Sequence, residues 1–473
     1  MGPRQPNRRK GPQKAATSKN GPTESTSKKG GHYRVSIAED LSLIEVQAFF
    51  SGGMPNLLRS GAGDCARYLD RANTGEEALE KNDGVLSLVA AKEKCIHYAV
   101  DVKSALRTAS AKVAATEDAS VLLSTDLWLW HPRDREIFVS LDLPKGVSAA
   151  LPFPREKNGQ RFRVPSTSYR WLSTSAFGRF RSFEVQVPGG VLDVHLLHDK
   201  LSRSSTKAWM QAAGNAVSTI YGHFPRKRTQ VFVRRAMLGT SPVVFGMVAR
   251  GGGPVATFFV AHDDEDELVG EWVATHELAH LLTPHIQRND AWLREGVATW
   301  YQNIARIRAE QLSPEQGWEK IVNGLHRGES SSSRGTVAEM SEGMRRRFSY
   351  TYVYWAGTAA AMLLDVEVRR KTRGEFSLDE ALRRVKGTFE NQRAISARQF
   401  VKLLDDKADL KVFEPFTVAF KKIKGFPEVQ STLWRLGIRE RRDGSIWLDD
   451  TAEDAWIRKA IEAPVAFGSL PKN

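Results

Sequence analysis

The chain runs to 473 residues with a formal net charge of +14, and 41% of it is hydrophobic against 26% charged. Such a length provides for roughly two to four domains with cores of their own, and the composition is that of an ordinary soluble globular protein. No apolar run approaches the roughly eighteen residues that a membrane-crossing helix needs, which excludes a helical span.

The positive charge is unevenly placed. Residues 1–31 carry eight of the lysines and arginines against the single Glu24, so half of the excess sits in a tail of Pro, Gly, Ser and Lys without apolar periodicity. Low hydrophobicity and like charge predict a disordered basic leader. No nucleic-acid partner is expected beyond non-specific contact through it. The tail lacks the apolar centre of a signal peptide, which reads as cytoplasmic, or as exported or periplasmic if the leader lies outside this sequence. Cys65 and Cys95 are the only cysteines; two thiols fit a reducing compartment and one disulfide fits export.

From residue 32 to about residue 200 the dominant period is two. Ile96, Tyr98, Val100 and Val102 alternate with other residues, as do Ile137, Val139, Leu141 and Leu143, and again Phe183, Val185 and Val187. Pro188-Gly189-Gly190 is a turn that joins the last run to Val191–Leu197. This predicts an antiparallel β domain of the sandwich kind over 32–200, with a helical insertion at Leu57–Leu79.

The pattern changes after that. Thr206–Tyr221 reads as a helix, and Gln230–Val233, Val243–Val248 and Val255–Val260 read as strands of one sheet. Asp263–Glu267 is an acidic run placed where a helix macrodipole favours carboxylates. Then comes His276-Glu277-Leu278-Ala279-His280. Four residues advance about 400° and roughly 6 Å along an α-helix, so the two imidazoles share one face and can converge on one cation. Zinc in a hydrolase takes three protein ligands and keeps a fourth position open. Glu295, in Trp292-Leu293-Arg294-Glu295-Gly296-Val297-Ala298, is the third candidate. It opens a second helix that Asn289 or Asp290 can cap, after Pro284 has ended the first. A histidine ligand donates its second N–H to an acceptor, and Thr299, one turn after Glu295, is a candidate for that outer contact.

The remainder is helical. Ser313-Pro314-Glu315-Gln316, Ser377-Leu378-Asp379-Glu380 and Ser396-Ala397-Arg398-Gln399 read as capping boxes. Arg327–Met344, with Ser330–Ser333, reads as a mobile loop. Tyr350–Thr358 leads into an apolar helix at Ala359–Val366, and Asp443-Gly444 turns a terminal hairpin between Ile438 and Leu448.

The HELAH helix followed by WLREGVATWY resembles the gluzincin metallopeptidases, especially those related to aminopeptidase N and the glycyl aminopeptidases, which pair HExxH with W-x-x-E-G. The bare HExxH is weak; the second motif in register makes the likeness specific. The resemblance implies His276, His280 and Glu295 as ligands of one Zn2+ per chain, and Glu277 as general base. It implies an α+β multidomain fold with a thermolysin-like catalytic domain over 201–330 and a mostly helical domain over 331–473. In relatives an edge strand of the catalytic sheet pairs with the substrate backbone. Tyr350–Gly357 is similar to the family's Y-x-x-G helix start, whose tyrosine donates to the oxyanion, and Tyr354 matches by its spacing to Gly357. One departure stands out. Relatives carry Gly-x-Met-Glu-Asn upstream, whose glutamate anchors the substrate amine, while the comparable run here is Gly251-Gly252-Gly253-Pro254, without an acid; Asp263–Glu267 is the alternative anchor, although the macrodipole explains its carboxylates more simply.

The expected function is hydrolysis of peptide bonds by metal-activated water, with a peptide or protein as substrate. Two alternatives stand beside it: a catalytically silent, zinc-stabilised scaffold that binds peptides, and a gluzincin that hydrolyses a non-peptide bond.

Overall fold

The computed structural model describes residues 30–465, apart from the short stretches 61–62, 90–94, 109–112, 116–118, 157–158, 160, 167–172, 332–333 and 389–393. The basic tail expected at 1–31 therefore lies almost wholly outside the described residues.

The alternating runs of the first region form a seven-stranded sheet. Its order is Phe162–Val164, Glu136–Asp142, Gly30–Ile37, Leu43–Ser51, Cys95–Asp101, Leu69–Thr74 and Glu77–Ala78. The sheet is antiparallel except where Gly30–Ile37 runs parallel to Glu136–Asp142. Its inner face buries Tyr33, Val35, Val46, Ile96, Tyr98 and Val139. The two buried phenols are satisfied by backbone: Tyr33 donates to Trp130 O at 3.0 Å and Tyr98 to Trp128 O at 3.1 Å, as burial of a hydroxyl requires. A four-stranded sheet, Ser148–Ala150, Thr174–Gly178, Ser120–Ser124 and Val113–Ala115, accompanies it. The run Leu57–Leu79, expected as a helical insertion, is mostly extended: strands at Leu57–Arg59, Leu69–Thr74 and Glu77–Ala78 enclose one short 3₁₀ helix, Gly63–Tyr68.

The hairpin Phe183–Leu197, expected to close this first region, opens the next one. Arg181–Val187 and Gly190–Leu196 pair with each other, and Gly190–Leu196 then runs parallel to Arg228–Arg235 in a five-stranded sheet. Val255–Val260 follows, and Val243–Ala249 forms the antiparallel edge. The region read as 32–200 thus gives its last hairpin to the second sheet. Local alternation shows that a strand is present but not which sheet it joins. The helix Arg203–Tyr221 packs on this sheet, with Trp209 edge-on to Phe258 at 5.1 Å between ring centres.

Helices complete the fold, among them Ala291–Arg308, Pro314–Ser330, Tyr350–Lys371 and Ala397–Ala408. They share one continuous core with the five-stranded sheet. Reciprocal capping boxes form at Ser313 and Ser396. At Ser377 only the forward bond forms, because the Glu380 carboxylate turns to Arg383 and Arg384. The stretch expected as a mobile loop holds the end of the helix Pro314–Ser330 and a further helix, Val337–Glu342, with its own box between Thr336 and Glu339. Among the described residues no helix is long and apolar enough to cross a membrane.

Candidate metal centre

The histidines sit on the helix Val273–Ala279 and on the 3₁₀ turn His280–Leu282 that continues it. A short connection returns the chain into the helix Ala291–Arg308. Asp290 occupies the N-cap position of that helix but makes no side-chain cap. Its carboxylate instead accepts from the Ala397 N–H at 2.8 Å and pairs with Lys421, and the free Trp292 N–H donates to the Ser341 hydroxyl at 3.1 Å.

These two elements bring the sequence candidates together. Glu295 Oε2 lies 3.2 Å from His280 Nε2 and 3.7 Å from His276 Nε2, and all three residues are buried. Ligand atoms of His276, Glu277 and His280 lie within 4.8 Å of one another. Atoms held about 2.0–2.1 Å from a tetrahedral zinc stand roughly 3.3 Å apart, a spacing that the two Glu295–histidine distances straddle. The donor set, two imidazoles and a carboxylate, suits that metal. The His276 ring is oriented from behind: its Nδ1 is 2.9 Å from Gln302 Oε1. An amide oxygen only accepts, so Nδ1 carries the proton and Nε2 presents its lone pair to the site. Gln302, two turns beyond Glu295, takes the place expected for Thr299, whose hydroxyl bonds the Glu295 backbone carbonyl at 2.8 Å.

Charge supports the arrangement. Burial would raise the Glu295 pKa, yet His280, His276 and Arg294 hold it well below the carboxylate range. Burial pulls His276 down, but Glu295 and Glu277 raise it on balance. Arg294, unremarked in the sequence, places Nε 2.8 Å and Nη2 2.7 Å from Glu295 Oε1, which leaves Oε2 for the histidines.

Tyr354 stacks on His276, with rings 8° from parallel and centres 5.8 Å apart. It lies in the long helix Tyr350–Lys371, which crosses the glutamate helix at two glycines. A Cβ on Gly357 would stand 1.9 Å from Trp292 O, and one on Gly296 would stand 2.2 Å from the Gly357 carbonyl carbon. Side chains on both helices would force them apart, so this pair sets how near Tyr354 comes to Glu295. Burial, then the Glu295 and Glu277 carboxylates, raise the phenol's pKa far above its usual value. It stays protonated as a donor.

The edge strand Val243–Ala249 passes the other side of the site. A Cβ on Gly246 would come 2.7 Å from Glu277 Cγ, so glycine lets the strand approach that carboxylate. This corrects the expected position of the amine-anchoring segment. Gly251–Pro254 is the turn after the edge strand, where a Cβ on Gly253 would strike Pro152 O, in the first region. The strand beside Glu277 is Val243-Val244-Phe245-Gly246-Met247-Val248-Ala249. That strand carries no acidic residue either. The acidic run is engaged elsewhere: Asp263 accepts from Ser202 N–H at 2.6 Å and pairs with Arg235, and Asp264 caps the helix Glu265–Gly270.

Comparison with solved structures gives an aminopeptidase N family protein from Idiomarina loihiensis at a TM-score of 0.63 and 13% identity, covering 86% of this chain and 78% of that one. An M1 zinc metallopeptidase mutant from Deinococcus radiodurans, bound to a Tyr-Ser-Ala substrate, matches at 0.52 and 15% identity over 85% and 95% of the two chains. Native yeast LTA4 hydrolase matches at 0.53 and 12% identity over 86% and 70%. The fold is that of the M1 zinc metallopeptidases. No protein-family model matches the sequence, and no curated protein does.

Proposed function

We propose that this protein is a zinc-dependent peptidase, with His276, His280 and Glu295 holding the metal. The observation that carries the reading is the approach of one Glu295 oxygen to both histidine Nε2 atoms, 3.2 and 3.7 Å away. Support comes from the M1 fold and from Gln302, which fixes the His276 tautomer. Bound zinc supplies Lewis acidity, which polarises a scissile carbonyl and acidifies water beside it. Glu277, next to the ligands and against the edge strand, takes the proton from the attacking water and returns it to the leaving amine. Tyr354, kept protonated, donates to the oxygen on which charge develops. The edge strand Val243–Ala249 offers backbone groups for an extended peptide. With no carboxylate on that strand, a free α-amine has no partner, so N-terminally blocked peptides are expected to be cleaved as well as free ones.

Metal analysis joined to peptide hydrolysis tests the assignment. Purified protein should carry about one zinc per chain, and His280→Ala or Glu295→Ala should lose most of it. Glu277→Gln should keep the metal and lose nearly all turnover. Full zinc retention in both ligand variants would sink the metal site, and near-normal turnover in Glu277→Gln would remove Glu277 as the base.

A further inference from the structure

Two arginines stand beside this site. Arg294 lies on Glu295 Oε1 through Nε and Nη2. Arg250, just past the edge strand, donates from Nη1 to Thr283 O at 2.8 Å and from Nη2 to His280 O, closing the end of the histidine helix. Their field is felt at His285, whose pKa is pushed down to about 4 by burial and then by Arg250, Arg294 and Arg288. Glu277 and Glu295 oppose these cations, while Asp263 and Asp264 are tied into backbone contacts. A divalent cation at the histidines would shift the balance towards positive. A substrate ammonium would approach the metal against that field, and a carboxylate would approach with it.

We propose that the cleft selects its peptides through a substrate carboxylate, received by Arg294. The proposal rests on the peptidase reading above. The carboxylate is either the substrate's own C-terminal group or an acidic side chain beside the scissile bond. Arg294 is the receiving residue because two of its five N–H groups suffice for Glu295, and its side chain keeps 22% of its surface open. Arg250 is spent on two backbone carbonyls, so it is a positioning residue that contributes field rather than contact.

Two pairs of N-acetylated peptides test this on the full-length, zinc-loaded protein: one differing in a C-terminal acid or amide, the other in Glu or Gln beside the scissile bond. Binding is read by calorimetry on Glu277→Gln, and turnover on the unaltered protein. The acid member of one pair should bind about 10- to 100-fold more tightly, the worth of one or two charge-assisted hydrogen bonds. Which pair shows the effect identifies the source of the carboxylate. The ratio should fall towards one in Arg294→Gln and recover in part in Arg294→Lys, which keeps the charge but not the fork. Zinc content is measured alongside, and Arg294→Lys carries the test if Arg294→Gln fails to fold or to hold metal. Equal affinity within both pairs, binding of no peptide, or a ratio that neither variant changes overturns the proposal. Carboxylate-dependent binding with no hydrolysis of any peptide would overturn the peptidase reading and leave the carboxylate site standing.

Discussion

In the proposed mechanism the Tyr354 hydroxyl has no part in holding the metal or activating water, so its contribution would belong to the step in which the carbonyl oxygen gains charge. Loss of a donor used chiefly in the transition state lowers kcat with little change in KM. Removal of one such donor typically costs on the order of 100- to 1,000-fold. Tyr354→Phe keeps the ring that stacks on His276, so zinc content and folding should stay normal while steady-state kcat falls by about that factor. Tyr352 is the comparison. Its hydroxyl is engaged with Gly425 O at 2.7 Å, so Tyr352→Phe should cost about 1 kcal/mol of stability and leave kcat unchanged. A kcat loss in the Tyr352 variant alone would mean that the tyrosine was misassigned. At this scale helical spacing was informative for His276 with His280, which share one face, while Tyr354 came from the likeness to a Y-x-x-G helix start rather than from helical spacing, and the structure places it against His276. The sequence was silent where a rotamer decides. Thr299 and Gln302 both lie on the Glu295 side of the helix, at about 40° and 20° from it by the 3.6-residue period. The short hydroxyl folds back onto its own helix backbone, and only the longer amide reaches His276. Arg294 reaches Glu295 sideways from the adjacent position, a contact that helical spacing does not anticipate.

The glycines at the helix crossing carry a prediction of their own. Gly296 and Gly357 meet backbone to backbone, and any Cβ would overlap Trp292 O or the Gly357 backbone. Relief requires the glutamate and tyrosine helices to separate, and overpacking of this kind typically costs about 1–3 kcal/mol. Gly357→Ala is therefore expected to lower the melting temperature by several degrees and to reduce turnover, as Tyr354 and Glu295 move apart. Gly270, with nothing within 4 Å of its would-be Cβ, is the control, and Gly270→Ala should be close to neutral. Thermal melts read beside kcat decide the matter; equal behaviour of the two variants would remove the crossing as a determinant of the site. Both motif glycines were legible as letters, but their meaning as a contact was not, since each helix alone gives no reason for a missing side chain. Element type failed in two places. Leu57–Leu79 lacks strict alternation because its strands are short and broken by a 3₁₀ turn. In Arg327–Met344 the serines masked the Thr336–Glu339 box, which shows how a real cap can sit beside a stretch that looks like loop.

Across the whole molecule the candidate site belongs to one core and the first region to another. The histidine, glutamate and tyrosine helices are packed with the five-stranded sheet and the C-terminal helices, while Tyr33, Trp128, Phe177 and their neighbours form a separate cluster. The two meet through a small third group, Leu122, Ala150, Ala176, Leu197, Phe232 and Val255. No local pattern in the sequence marks that seam, which is why the Phe183–Leu197 hairpin was placed on the wrong side of it. Little apolar surface crosses the seam, so cooperative unfolding should divide there. Scanning calorimetry is expected to show two transitions. A metal that binds only the native second core stabilises that core alone, by about 2.7 kcal/mol at a free concentration near 100 times its Kd. At roughly 2–4 °C per kcal/mol for a unit of this size, zinc should raise that transition by about 5 to 10 °C and leave the other in place. Chelation should reverse the shift, and Glu295→Ala should abolish it. A single transition that moves as a whole would mean that the Phe232 cluster couples the two cores more strongly than its size indicates; an unmoved pair of transitions would count against the metal centre itself.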